Sequence, residues 1–296
     1  MSRFIFAALG SIILAGQAAS QQVPGRDLFE FPLGLLAEPA ALGSQMAASL
    51  WNPAMGALAP PQHAAFGVAE LYSPQEQGVR SSMIGGAWAF RPNLTGTASI
   101  ASARVADLLR TETDPQSLGG EIPYSSTLLS LGVAGARHGV TLGLDGRYRW
   151  ATSDDEHAGE LSVDGGLFVA RVLGTPIRFA ASTFLFRPGN NNDASYQLAA
   201  DVPLFTIDST AAVKGGYAMN FMGVRGREDY GFAAGRYRQL DLSAGVARTH
   251  AYASSDLRWR VGAGLHYAGY TAAIGREDGA AGLGASFQIL LTRVIK

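Results

Sequence analysis

The chain contains no cysteine. Disulfides, thiolate metal sites, a cysteine nucleophile and a lipid-modified cysteine anchor are excluded with it. Charge is scarce as well. Charged residues make up 16% of the 296 positions, where a soluble domain normally carries roughly 25%. The net charge of −1 gives no reason to expect nucleic acid, which calls for a basic stripe. Long apolar runs are missing too: beyond Gly16 nothing approaches the roughly 18 apolar residues of a membrane-crossing helix. Yet 47% of the residues are hydrophobic, and glycine is abundant at 37. Such a chain has a large face that does not meet water. In lipid it must close into a barrel, because an open sheet leaves backbone groups unsatisfied in hydrocarbon.

The amino terminus has the form of an export signal. Arg3 supplies the positive charge, Phe4 to Ala15 the short apolar stretch, and Ala18-Ala19-Ser20 the small residues of a cleavage site. Residues 1–20 are expected to be a signal peptide, cut before Gln21.

Alternation of apolar and polar residues dominates the rest. In 140–150, Val140, Leu142, Leu144, Tyr148 and Trp150 share one parity; Thr141, Asp145, Arg147 and Arg149 share the other. Successive side chains of a strand point to opposite faces, so one face suits lipid and the other water. The pattern recurs in 161–170, 196–202, 257–266 and 280–294. Weaker stretches at 63–71, 78–90, 94–105, 124–136, 176–186, 207–220, 229–238, 240–251 and 270–276 bring the expected number of strands to fourteen.

The connections alternate in length. Tight turns are expected at Arg91-Pro92-Asn93, Arg137-His138-Gly139, Leu173-Gly174-Thr175, Leu204-Phe205-Thr206, Gln239 and Ala268-Gly269. Longer polar loops are expected at 72–77, 106–123, 152–158, 187–194, 221–228, 252–255 and 277–279. Short periplasmic turns and longer outer loops mark an outer-membrane barrel, with both termini on the periplasmic side. Tyr72, Tyr124, Tyr148, Trp150, Tyr196, Tyr217, Tyr230, Tyr267 and Tyr270 fall near strand ends and suit aromatic girdles at the headgroup level.

Residues 21–62 follow neither period. Rich in proline, alanine and leucine, they are too apolar for a solvated tail and are expected to plug the barrel of residues 63–296, with a short helix around Ala40–Leu50. Within them, Trp51-Asn52-Pro53-Ala54-Met55-Gly56 follows a small-residue stretch at 41–50. The combination resembles the amino-terminal signature of the PorV/PorQ family and the wider FadL-like barrels. That resemblance implies an all-β, fourteen-stranded transmembrane barrel whose plug motif is Trp51, Asn52, Pro53, Ala54 and Gly56. It also implies an accessory of type IX protein secretion that holds or hands over exported proteins. Departures from the family pattern are a shorter small-residue lead and a carboxyl end, Thr292-Arg293-Val294-Ile295-Lys296, with no terminal aromatic. Passive transport of hydrophobic small molecules, as in FadL-like barrels, and a purely structural barrel stay open as alternatives.

No enzymatic constellation emerges. Asp154-Asp155-Glu156-His157 lacks the ligand spacing of a calcium loop, His63, His138, His250 and His266 lack metal spacing, and Gly-x-Ser-x-Gly does not occur. A non-enzyme without metal or cofactor is expected. Parity points Asp145, Arg147, Arg149, Asp164, Asp201, Asp208, Lys214, Asp241, Arg258 and Arg260 into the lumen. They are either a mixed-sign network bracing wall and plug or a hydrated solute path contacted by Arg147, Arg149, Arg258 and Arg260. The expected partners are outer-membrane lipid and lipopolysaccharide, with secretion components, exported proteins or hydrophobic small molecules according to the reading. For transport, Gly85-Gly86 is the candidate kink for a lateral opening.

Overall fold

The computed structural model describes residues 23–29, 33–43, 47–58, 64–73, 78–106, 108–111, 118–189, 194–207, 210–223, 226–251, 254–278 and 284–295. The expected signal peptide, Asp208 and Leu283 lie outside these residues.

Among the described residues sixteen strands follow in chain order: β1 (Ala64–Tyr72), β2 (Val79–Arg91), β3 (Leu94–Val105), β4 (Leu109–Thr111), β5 (Leu118–Glu121), β6 (Tyr124–Arg137), β7 (Val140–Ser153), β8 (Glu156–Val169), β9 (Arg178–Phe184), β10 (Ser195–Ile207), β11 (Ala211–Phe221), β12 (Arg227–Tyr237), β13 (Leu240–Ala251), β14 (Ser254–Tyr267), β15 (Tyr270–Glu277) and β16 (Ser286–Ile295). Fourteen of them form one closed antiparallel barrel; β4 and β5 form a separate hairpin between β3 and β6. The first and last strands seal the wall, from Ala64 opposite Ile295 to Tyr72 opposite Phe287. Closure removes the sheet edge, so the backbone groups of the wall are satisfied by neighbouring strands.

Alternation of side chains sets the two faces. From Val140 to Ala151 exposed and buried positions alternate without a break. Leu142, at 62% exposure, sits next to Thr141 at 2%. Large apolar residues such as Ile84, Leu131, Leu144, Trp259, Ile274 and Phe287 cover the outside. Among the described residues no helix is long and apolar enough to cross a membrane; this chain crosses with strands.

Several local expectations are corrected. No turn forms at Leu204–Thr206. Strand β10 runs on to Ile207 through a register shift between Pro203 and Phe205, where proline cannot donate to the ladder. Asp154 and Asp155 make a two-residue turn, with Glu156 and His157 already in β8. The connection around Leu173 is an eight-residue excursion from 170 to 177. No helix spans Ala40–Leu50: a 3-10 turn at Ala40–Leu42 and one helical turn at Ala48–Trp51 flank residues outside the description. Gly85 and Gly86 pair on both sides, with β1 and with β3, and the Phe66 ring covers Gly86. The shortest ladder in the wall lies elsewhere. β8 and β9 share four pairs, Gly166 with Ser182 to Val169 with Phe179.

Candidate functional site

The described residues between Val23 and Leu58 lie inside the barrel and cross it from one mouth to the other. At the loop end, Arg149 donates to the carbonyls of Val23 at 3.0 Å and Pro24 at 3.2 Å. Tyr124 Oη accepts the Gly25 N–H at 3.1 Å and donates to Asp27 at 3.0 Å. Arg26 donates to Ser195 Oγ at 3.1 Å. Midway, Gln288 holds both the Gly34 N–H and the Leu36 carbonyl, and Tyr230 donates to the Ala37 carbonyl at 2.6 Å. Tyr230 and Tyr124 therefore serve the lumen and not the girdle. A phenol satisfies a strand's preference for aromatics on either face, so proximity to a strand end did not distinguish them.

The segment Trp51 to Gly56 is seated on a notch in the wall. Trp51 donates from Nε1 to the Leu33 carbonyl at 2.9 Å and stacks on Phe184 of β9, with ring centroids 4.9 Å apart. Asn52 donates to the Ala41 carbonyl at 2.7 Å and accepts the Ala54 N–H at 3.0 Å, which is the Asx turn that asparagine supplies. Pro53 opens a 3-10 helix running to Leu58. Opposite this turn, Gly143 of β7 pairs directly with Gly166 of β8. A Cβ on Gly143 would lie 2.4 Å from Pro53 C, and one on Gly166 2.2 Å from Asn52 Oδ1. Two adjacent residues without side chains let the backbone of Pro53 and Ala54 rest on the sheet. A third close approach is made by Gly56, whose Cβ would lie 2.6 Å from Thr97 Cγ2.

The structure places all eight lumen-facing candidates inside the barrel, in four groups. On β7 and β8, Arg147 pairs with Asp145 at 3.1 Å and Asp164 at 2.9 Å, and all three side chains have 0% exposure. Asp164 also accepts the N–H groups of Leu185 at 3.0 Å and Phe186 at 2.9 Å. Its carboxylate thus takes over where the β8–β9 ladder stops. Arg149 and Arg187 share Glu160 at 2.7 and 2.9 Å. On β12, β14 and β15, Arg258 and Arg260 each bridge Glu228 and Glu277 over 2.5–3.0 Å, and the Arg260 guanidinium lies over the Tyr230 ring.

The last group is nearer the turn end and wetter. Arg178 donates from Nε and Nη2 to the two carboxylate oxygens of Asp201. Lys214 stands 3.6 Å from Glu38 and 3.7 Å from Asp201. Arg236 donates to both oxygens of Asp241 at 2.7 and 2.9 Å, which also meets His266. These residues form the polar side of a cavity of about 670 Å³, whose apolar side is built by Leu36, Leu42, Met55 and Leu58 of the amino-terminal segment and by Leu290. Its volume is in the range of small-molecule sites, roughly 300–1,000 Å³.

No family model matches the chain, and no curated protein matches it. Solved structures do. A Pseudomonas aeruginosa FadL homologue superimposes with a TM-score of 0.55 at 10% identity, covering 89% of this chain and 98% of that one. A TodX mutant lacking S2 and S3, a monoaromatic hydrocarbon channel, gives 0.51 at 11% identity, covering 88% and 98%. This is an outer-membrane barrel. The likeness concerns the fold; PorV/PorQ membership is not established by it.

Sequence reasoning missed Glu160, Glu228 and Glu277, the acids that hold the named arginines. Each falls just outside the strand limits drawn from alternation, where the same parity continued inward would have reached it. The Gly143–Gly166 seat also had a legible signal, since glycine in a strand often marks a close backbone approach.

Proposed function

We propose that this barrel is a passive conduit of the FadL type for small hydrophobic or amphipathic molecules, plugged by its amino-terminal segment. The observation that carries the reading is the turn-side cavity. One side of it is aliphatic and comes mainly from the segment; the other is charged and, apart from Glu38, comes from the wall. A ligand with an apolar body and a polar end would be matched on both sides, and movement of the segment would change the cavity directly. The neighbouring TodX protein is a channel for monoaromatic hydrocarbons, which agrees with a small apolar solute. With short turns facing the periplasm, the cavity is the periplasmic vestibule of the path.

Binding of the fluorescent apolar probe N-phenyl-1-naphthylamine to the detergent-purified protein tests it. Leu42→Trp and Met55→Trp fill the cavity and should abolish the saturable component. Saturable binding unchanged by both, or none above that of empty micelles, would sink the conduit.

A second reading rests on a separate observation, the Trp51 to Gly56 element and its similarity to the PorV/PorQ signature. In that reading the barrel is a non-enzymatic accessory of type IX secretion, with exported proteins or secretion components as partners. Co-purification from native membranes decides: recovery of carboxyl-terminal cargo domains favours it, and recovery of the barrel alone removes it.

A further inference from the structure

The outer surface differs in charge between its two ends. At the loop end, signs are mixed: Glu70, Asp155, Glu156 and Asp229 accompany Arg80, Arg104, Arg227, Arg248 and Arg276. At the turn end, Arg91, Arg137, Arg171, Arg238 and Arg293 are all exposed. No carboxylate stands within ion-pair distance of any of these five among the described residues, although the wall arginines Arg147, Arg149, Arg178, Arg236, Arg258 and Arg260 each have one. Among the described residues the turn end is a cationic rim without an acidic partner.

Two further features place that rim against lipid. The Arg293 guanidinium lies 5.0 Å from the centre of the Tyr270 ring, and that of Arg238 lies 5.4 Å from the Tyr237 ring. Both tyrosines are exposed on the outside of the wall, at the level where a girdle meets headgroups. The 170–177 connection carries Leu173 at 97% exposure, two residues from Arg171. Beside it, the end of β10 exposes Leu204, Phe205 and Ile207. A fully exposed leucine next to an unpaired arginine suits a surface that is apolar within and anionic at its edge.

We propose that the turn-side rim is a binding collar for anionic phospholipid, with Arg91, Arg137, Arg171, Arg238 and Arg293 taking headgroup phosphates and Leu173 entering the acyl region. Phosphate accepts the planar guanidinium fork in two parallel hydrogen bonds, and an anionic leaflet attracts basic residues at its surface. An acidic protein segment would satisfy the arginines and leave Leu173 and the tyrosine faces unexplained. The collar is independent of what passes through the lumen.

Native mass spectrometry of the full detergent-purified chain, offered equal phosphatidylglycerol and phosphatidylcholine, tests the collar. Phosphatidylglycerol should be retained in preference. The ratio should fall about fivefold per arginine changed to glutamine at low salt, the factor expected for one basic residue at an anionic surface. Arg238→Gln with Arg293→Gln is the first variant, and Arg80→Gln with Arg104→Gln is the loop-end control that leaves the ratio unchanged. Equal retention of both lipids by the unaltered protein, or the same loss from the control pair, overturns the proposal. Where a multiple variant does not fold, a salt titration of the unaltered protein takes its place: the preference must shrink as salt rises, and a salt-independent preference overturns it. For the leucine, Leu173→Trp in vesicles should be quenched by brominated lipid beyond the unaltered protein; no added quenching removes the apolar half of the collar.

Discussion

Arg147 and Arg236 both point into the lumen, and both pair with aspartate, yet they occupy opposite environments. Arg147, Asp145 and Asp164 are sealed at 0% side-chain exposure, with the Arg147 guanidinium over the Phe184 ring on which Trp51 stacks. Arg236 and Asp241 keep 59% and 35% of their side-chain surface and face the turn-side cavity. The wall strands that carry them are built alike. What differs is whether the described residues between Val23 and Leu58 cover them. The same inward charge is thus a brace on one side of the barrel and the lining of a wet chamber on the other.

Removing Arg147 tests this contrast with the largest expected effect. Arg147→Met leaves two carboxylates buried without their cation, and breaking a buried pair from one side costs about 3–5 kcal/mol. Urea unfolding of the vesicle-inserted barrel measures it. A loss below about 1 kcal/mol would mean that water reaches the cluster and that the segment does not seal it. Replacing all three charges with apolar or amide residues of similar volume should recover much of the stability, since the penalty lies in the unpaired charges.

The next effect concerns the seat of the segment. Gly143→Val places a side chain onto the backbone of Pro53 and Ala54, where the nearest atom would be 2.4 Å from the new Cβ. Overpacking costs about 1–3 kcal/mol, and here the segment can leave the wall to relieve it. The expected result is a changed Trp51 emission and faster trypsin cleavage at Arg26, with the barrel still closed. Gly231→Ala is the matched control: its added Cβ meets nothing within 4 Å, so stability should stay within about 0.5 kcal/mol. Equal protease resistance in the two variants would show that Gly143 and Gly166 do not dock the segment.

Strand parity was the legible part of this molecule, because a sheet facing lipid on one side and charge on the other cannot drift by one residue without reversing every side chain. Val140 to Trp150 shows that constraint undiluted. Legibility fell where a different interaction replaced the ladder. Asp164 captures the amides of Leu185 and Phe186, so β9 ends at Phe184 although the apolar and polar residues around it continue. Pro203 sits within β10 at a register shift, and the turn expected just after it, at Leu204–Thr206, does not form. The seat at Gly143 and Gly166 was hidden among 37 glycines. Partners for the arginines were hidden because a salt bridge between strands depends on register, which alternation alone does not supply.

The smallest effect is expected at Arg236, and it bears on function most directly. Arg236→Met deletes a two-point pair with Asp241, but exposed pairs contribute at most about 1 kcal/mol. Screening reduces even that, since the Debye length falls to about 3 Å in 1 M salt. Unfolding in low and high salt should therefore show a small loss that disappears as salt is added. Lys214→Met should behave in the same way, because its nitrogen is 3.6 Å and 3.7 Å from its two acids, too far for firm hydrogen bonds. A salt-independent loss as large as that of Arg147→Met would mean that the turn-side chamber is dry. The charged side of the cavity would then be structural bracing like the other groups, and a conduit would have no hydrated surface to receive the polar end of its solute.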